Sequence, residues 1–146
     1  MPQDDFDDDV YGQALYDFFQ HGQAEKLVLH TSYGLVEKMP VDWFFREEED
    51  FPELERIALG KVKGKTLDIG AGAGSHAVYL YDRGFDVFAM DTSRYCAKIM
   101  KQRGLPNVLH QSVWHPIQQR YDTILMLMNG IGLVGDIPGL KRFLDL

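Results

Sequence analysis

Leu67-Asp68-Ile69-Gly70-Ala71-Gly72-Ala73-Gly74-Ser75-His76 is the stretch on which the reading of this chain turns. Three glycines follow a short apolar run, Thr66-Leu67-Asp68-Ile69, and lead straight into a helical pattern. Glycine at a strand-to-helix turn permits positive φ and lets a ligand press against bare backbone. The glycines alone do not choose that ligand, because dinucleotide-binding domains put Gly-x-Gly-x-x-Gly at the same point. Asp68 does choose. It ends the strand two residues before Gly70, where its charge would repel a pyrophosphate and suit a ligand carrying cationic groups. A phosphate loop is excluded, since no Gly-Lys-Ser/Thr follows.

Downstream the chain is rhythmic. Residues 75–83 read as a helix with Ala77, Val78, Leu80 and Tyr81 on its apolar face, and Gly84 ends it. Residues 85–90 read as a strand, and Ser93 caps a helix that reaches 103 before Gly104. Residues 107–110 and 121–128 give a third and a fourth strand, the last the most apolar, and a helix begins at 136. Strands alternating with helices require crossover connections, hence a doubly wound α/β fold with a parallel sheet. Asp91 ends the second strand about twenty positions beyond the glycine loop, where a carboxylate accepts both hydroxyls of a ribose. A plain helix-capping aspartate is the competing use.

Upstream the pattern changes. Asp4-Asp5-Phe6-Asp7-Asp8-Asp9 superficially suggests a calcium loop, but Val10 stands where glycine is needed and Tyr16 where the bidentate glutamate should be. Residues 10–20 carry apolar side chains at helical spacing and stop at Gly22. Residues 27–43 read as a looser linker punctuated by Gly34 and Pro40, and 52–59 as a short helix that Gly60 closes. Residues 1–60 are therefore expected to form an aromatic-rich helical preamble, and residues 61–146 the sheet domain.

Bulk properties narrow the function. The chain has 146 residues, 45% of them hydrophobic, and a formal net charge of -7, enough for a real core and wrong for a surface that tracks phosphates. No nucleic-acid partner is expected. Cys96 is the sole cysteine, so no internal disulfide forms. The amino terminus is acidic where a signal peptide would be basic, and the longest apolar run, Ile124-Leu125-Met126-Leu127-Met128, is too short to cross a bilayer. These features point to a cytoplasmic protein with no membrane partner.

Asp68-x-Gly70-x-Gly72-x-Gly74, then Asp91-Thr92-Ser93, then Tyr121-Asp122-Thr123-Ile124 resembles the motif series of class I S-adenosylmethionine (SAM)-dependent methyltransferases. The match runs from about residue 65 to 128. Tyr33-Gly34 and Trp43-Phe44-Phe45-Arg46 resemble the preamble of bacterial small-molecule methyltransferases. The resemblance implies a Rossmann-like sheet of strand order 3-2-1-4-5-7-6, with SAM as cofactor and S-adenosylhomocysteine (SAH) as product. It places the cofactor across the carboxyl ends of strands one, two and four. Asp68, Gly70, Ala71, Gly72, Gly74, Asp91 and Thr92 would then line the cofactor site, with Asp68 suited to the cationic groups of SAM and Asp91 to the ribose. Family members often carry an acidic residue after the third strand to meet the adenine amino group; here Gln111-Ser112-Val113 stands there, leaving the Ser112 hydroxyl as a weaker acceptor beside Val113. Met128 and Asn129 fall where the methyl donor should lie, although Asn129-Gly130 also reads as a turn. Arg46 would reach the methionyl carboxylate, its alternative being a surface arginine paired with Glu47, Glu48 and Glu49.

The remaining candidates have plainer readings. His21, His30, His76, His110 and His115 show no metal-ligand spacing. His76 reads as a partly exposed helix residue, His115 as a remote candidate for a base, and Cys96 as a small core residue. Tyr11, Tyr16, Phe18, Phe19, Trp43 and Phe44 suit core packing better than the lid of a substrate pocket. Only strands one to four of the family's sheet are visible, so the chain reads as truncated, with its fourth strand left as an apolar edge inviting self-association. The leading function is methyl transfer to a small-molecule acceptor. A non-catalytic SAM- or SAH-binding module is the alternative, and an NAD-binding domain is disfavoured by Asp68.

Overall fold

The computed structural model describes residues 8–128 and 130–146. Asp5, Asp7 and Asn129 lie outside the described residues. Helix α1 (Val10–His21) starts where Asp9 accepts a hydrogen bond from Gly12 N–H, and stops at Gly22, whose φ of 70° turns the chain left-handed. Two strands follow, β1 (Leu27–His30) and β2 (Val36–Met39), then 3-10 turns over Val41–Phe45 and Glu48–Asp50, and helix α2 (Glu53–Gly60).

β1 and β2 pair antiparallel, with Leu27 opposite Met39 and His30 opposite Val36. This corrects the expected helical preamble with a loose linker. The hairpin escapes pattern reading because Val28, Leu29, Leu35 and Val36 are all substantially exposed, so neither face imposes an alternation of apolar and polar residues. Its turn is local chemistry: Thr31 Oγ1 accepts from Leu35 N–H, and Gly34 adopts φ 80°.

The main sheet has the expected order. β3 (Thr66–Ile69), β4 (Val87–Asp91), β5 (Val108–His110) and β6 (Thr123–Leu125) lie side by side as β5-β4-β3-β6, all parallel. Helices α3 (Ser75–Asp82), α4 (Arg94–Gln102) and α5 (Ile137–Leu144) connect or follow them. β3 is buried at all four positions, as a central strand covered on both faces must be. Ser93 caps α4 by accepting from Cys96 N–H, and Asp136 caps α5 by accepting from Gly139 N–H.

Two apolar clusters flank the sheet. Leu67, Ile69, Met90 and Val113 pack on one face with Phe143. Leu80, Val87, Ala89, Ile99 and Met100 form the other, and Leu15 of α1 belongs to it with no exposed surface. Burial of a leucine side chain stabilises by about 1.5–3 kcal/mol, so α1 is fastened to the sheet domain rather than resting on it. Ring pairs reinforce the seam: Tyr16 with Tyr95, Phe18 and Phe19 with Phe45. Cys96 is a buried free thiol in this cluster.

β6 is shorter than its apolar run suggests, and this corrects the expected long strand 121–128. Only Thr123, Ile124 and Leu125 pair with β3; Met126 and Leu127 then pack inward against the two clusters, and Met128 turns at φ 53°. The open edge carries one half-exposed apolar side chain, Ile124. Among the described residues no helix is long and apolar enough to cross a membrane.

Candidate functional site

The glycine loop lies beyond the carboxyl end of β3, and its backbone is held from β4. Gly70 and Ala71 N–H both donate to Met90 O, at 2.9 and 3.0 Å. Gly72 N–H donates to Asp91 Oδ2 at 2.8 Å, while Asp91 Oδ1 accepts from Ser93 N–H at 2.9 Å. Asp91 therefore clamps the loop to the start of α4, using one oxygen for each. Burial raises its pKa, and the Ser93 and Gly72 N–H groups act against that rise. Gly72 (φ 58°) and Gly74 (φ 83°) both need left-handed backbone. At Gly74 a Cβ would come within 2.8 Å of Met100 Cγ, so glycine there is also what lets the loop close on α4.

A cavity of about 390 Å³ opens beside the loop, lined by Asp68, Gly72, His76, Trp43, Phe44 and Arg46 among others. Asp68 is 2% exposed, and its Oδ2 has no hydrogen-bond partner among the described residues. Burial, with the Asp91 charge second, pushes this carboxyl from 3.8 up to about 7. Arg46 is buried too. Its Nε donates to Trp43 O at 2.8 Å and its Nη2 to Glu55 Oε1 at 3.1 Å, but Nη1 is unpartnered among the described residues. The surface alternative for Arg46 is thus corrected: its partner is Glu55 on α2, and Glu48 pairs with Arg83 instead. Glu55 Oε2 lies 2.7 Å from His76 Nε2. His76, expected on a partly exposed helix face, is a buried wall of the cavity, because α3 turns its first residues toward α2.

A second cavity of about 170 Å³ adjoins the first at Gly70 and Leu133 and is lined by Met90, Asp91, Thr92, Ser112 and Val113. Ser112 Oγ accepts from Trp114 N–H at 3.2 Å, and Val113 is buried under the cavity. A broad groove of about 810 Å³ shares Asp91, Thr92 and Ser112 with it and is lined also by Asp8, Asp9, His110 and His115. Met128 borders the first cavity, its Sδ 3.4 Å from Arg46 Nη2. The structure therefore gathers Asp68, Gly70, Ala71, Gly72, Met128 and Arg46 around one cavity and Asp91, Thr92, Ser112 and Val113 around its neighbour. Gly74 lines neither cavity and lies against Met100. Glu55 is the residue sequence reasoning missed. Its signal was faint: it shares a helix face with Leu59, four residues on, which is buried. No cluster of metal-binding side chains occurs among the described residues.

The family profile described as a methyltransferase domain matches residues 43–143. The chain belongs to the methyltransferase family. A SAM-dependent methyltransferase from Bacteroides fragilis, solved in complex with SAH, is 35% identical with a TM-score of 0.86, over 94% of this chain and 59% of that one. This chain thus spans 59% of the length of that methyltransferase. A tRNA (uracil-54, C5)-methyltransferase from Pyrococcus abyssi, also with SAH, is 18% identical with a TM-score of 0.44, covering 68% of this chain and 27% of that one. YjhP from E. coli is 19% identical with a TM-score of 0.48, covering 65% and 44%. A search of curated proteins gives no match.

Proposed function

We propose that this methyltransferase domain binds SAM across the two adjoining cavities and serves methyl transfer to a small-molecule acceptor in the cytoplasm. One observation carries the reading. Among the described residues a buried carboxyl oxygen, Asp68 Oδ2, and a buried guanidinium nitrogen, Arg46 Nη1, both lack partners, and both residues line the cavity at the glycine loop. Buried polar groups are normally hydrogen-bonded, so an unpaired acceptor and an unpaired donor on residues lining one cavity fit a zwitterion. The amino-acid end of SAM is one, with its ammonium suited to Asp68 and its carboxylate to Arg46. Asp91, in the second cavity, suits the ribose hydroxyls, and Ser112 with Val113 the adenine. The SAH bound in the Bacteroides fragilis relative supports the same ligand class.

When bound, SAM supplies a methyl group on a positively charged sulfur, reactive toward a nucleophile without further activation. The chain's part is alignment and exclusion of water. Asp91 fixes the loop backbone through Gly72, so the ribose and methionyl positions are set by one side chain. Trp43, Phe44 and Leu127 give the cavity apolar lining. No side chain is assigned as a proton acceptor, and an amine or thiol acceptor needs none dedicated to it.

Calorimetric titration with SAH, with NADH as control and Asp91→Ala alongside, tests this. SAH binding that the substitution abolishes, with NADH inert, is the expected result. Binding of NADH in place of SAH by the folded chain refutes it.

A further inference from the structure

We infer that Glu55 is a positioning residue that aims Arg46 at the carboxylate of the bound cofactor. The inference rests on the cofactor reading above. Glu55 belongs to no motif and sits on α2, away from the glycine loop in sequence. Its two oxygens are divided between two cavity walls: Oε1 takes Arg46 Nη2 at 3.1 Å and Oε2 meets His76 Nε2 at 2.7 Å. All three side chains are nearly closed to solvent, at 6% for Arg46, 10% for His76 and 12% for Glu55. A guanidinium this deep needs a counter-charge, because an unpaired buried cation is strongly destabilising.

The geometry of the fork decides what remains. Glu55 occupies Nη2 and the Trp43 carbonyl occupies Nε, while the Trp43 ring lies 4.1 Å from the guanidinium carbon. These contacts fix the plane of the group and leave Nη1 without a partner among the described residues. His76 anchors the other end of Glu55; it is itself held by the Phe51 ring, 5.0 Å between centroids. The carboxylate thus ties α2 to the first turn of α3, directly behind the glycine loop. Orientation of Arg46 and position of the loop are set together, and the cofactor's amino-acid end bridges them.

Arg46, Glu55 and His76 do not line the second cavity, where the adenosine half is proposed to lie. 5′-Methylthioadenosine, which lacks the amino and carboxylate groups, separates a positioning role from a purely structural one. Glu55→Ala should weaken SAH by roughly tenfold to a hundredfold, the scale of losing a hydrogen bond to a charged group, with 5′-methylthioadenosine changed less than about twofold. Glu55→Gln, closer in shape, should show a smaller loss of the same selectivity and decides the matter if the alanine variant fails to fold. Equal loss of both ligands, or undiminished SAH binding in a folded variant, overturns the inference. Failure of the unsubstituted chain to bind either ligand overturns the cofactor reading instead.

Discussion

Asp68→Asn removes a titrating group from the base of the cavity while keeping its shape, and the consequence can be worked out by counting protons. Unfolded, this carboxyl releases its proton near 3.8; folded, burial first and the Asp91 charge second make it keep the proton to about pH 7. Between those values the folded chain holds more protons than the unfolded one. The group's contribution is therefore fully present below pH 3.8 and is lost as pH rises toward 7. Each pH unit in that window is worth at most about 1.4 kcal/mol, so the loss is on the order of 4 kcal/mol over roughly three units. The asparagine variant lacks this slope. Urea unfolding of both proteins between pH 4 and 8 should show the variant gaining on the wild type as pH rises. Parallel pH profiles would refute the burial argument. A bound ammonium reverses the preference by favouring the ionised carboxylate, so SAH should bind more tightly to the wild type as pH rises through 7, with a proton released.

Other perturbations probe packing. Gly74→Ala and Gly84→Ala place alanine at nearly the same backbone angle, φ 83° and 85°, costing about 1–2 kcal/mol each, but only Gly74 meets Met100 and Leu105. Gly74→Ala should thus lose about 1–3 kcal/mol more in denaturant unfolding, and equal losses would reject the close approach of loop and α4. Leu15→Ala should destabilise by about 2–5 kcal/mol while preserving a single transition, because α1 shares the sheet's apolar cluster; a separate melting of α1 would contradict this. The open β6 edge should support concentration-dependent association that Ile124→Lys suppresses in sedimentation velocity, and a monodisperse wild type argues against it.

What the sequence made legible was local. The loop, its flanking strand and Asp91 are fixed by spacing within some twenty-five residues, and a strand-helix alternation permits few parallel arrangements. The hairpin was hidden because Val28, Leu29 and Val36 are exposed on both of its faces, leaving no periodicity to detect. The apolar run at 121–128 overstates β6, because it does not distinguish ladder residues from Met126 and Leu127, which pack inward after the strand has ended. The cavity's charged wall was the hardest to see. Arg46, Glu55 and His76 come from three separate elements, and their pairing depends on how α2 docks beside α3. Charge proximity in sequence pointed Arg46 to its adjacent glutamates, whereas burial pointed it inward.

The most direct measurement is a crystal structure of this chain with SAH. The ammonium should lie against the Asp68 carboxyl, the carboxylate against the Arg46 guanidinium, the ribose on Asp91 and the adenine between Ser112 and Val113. SAH lying elsewhere, or bound with Asp68 and Arg46 both still unpartnered, would contradict it.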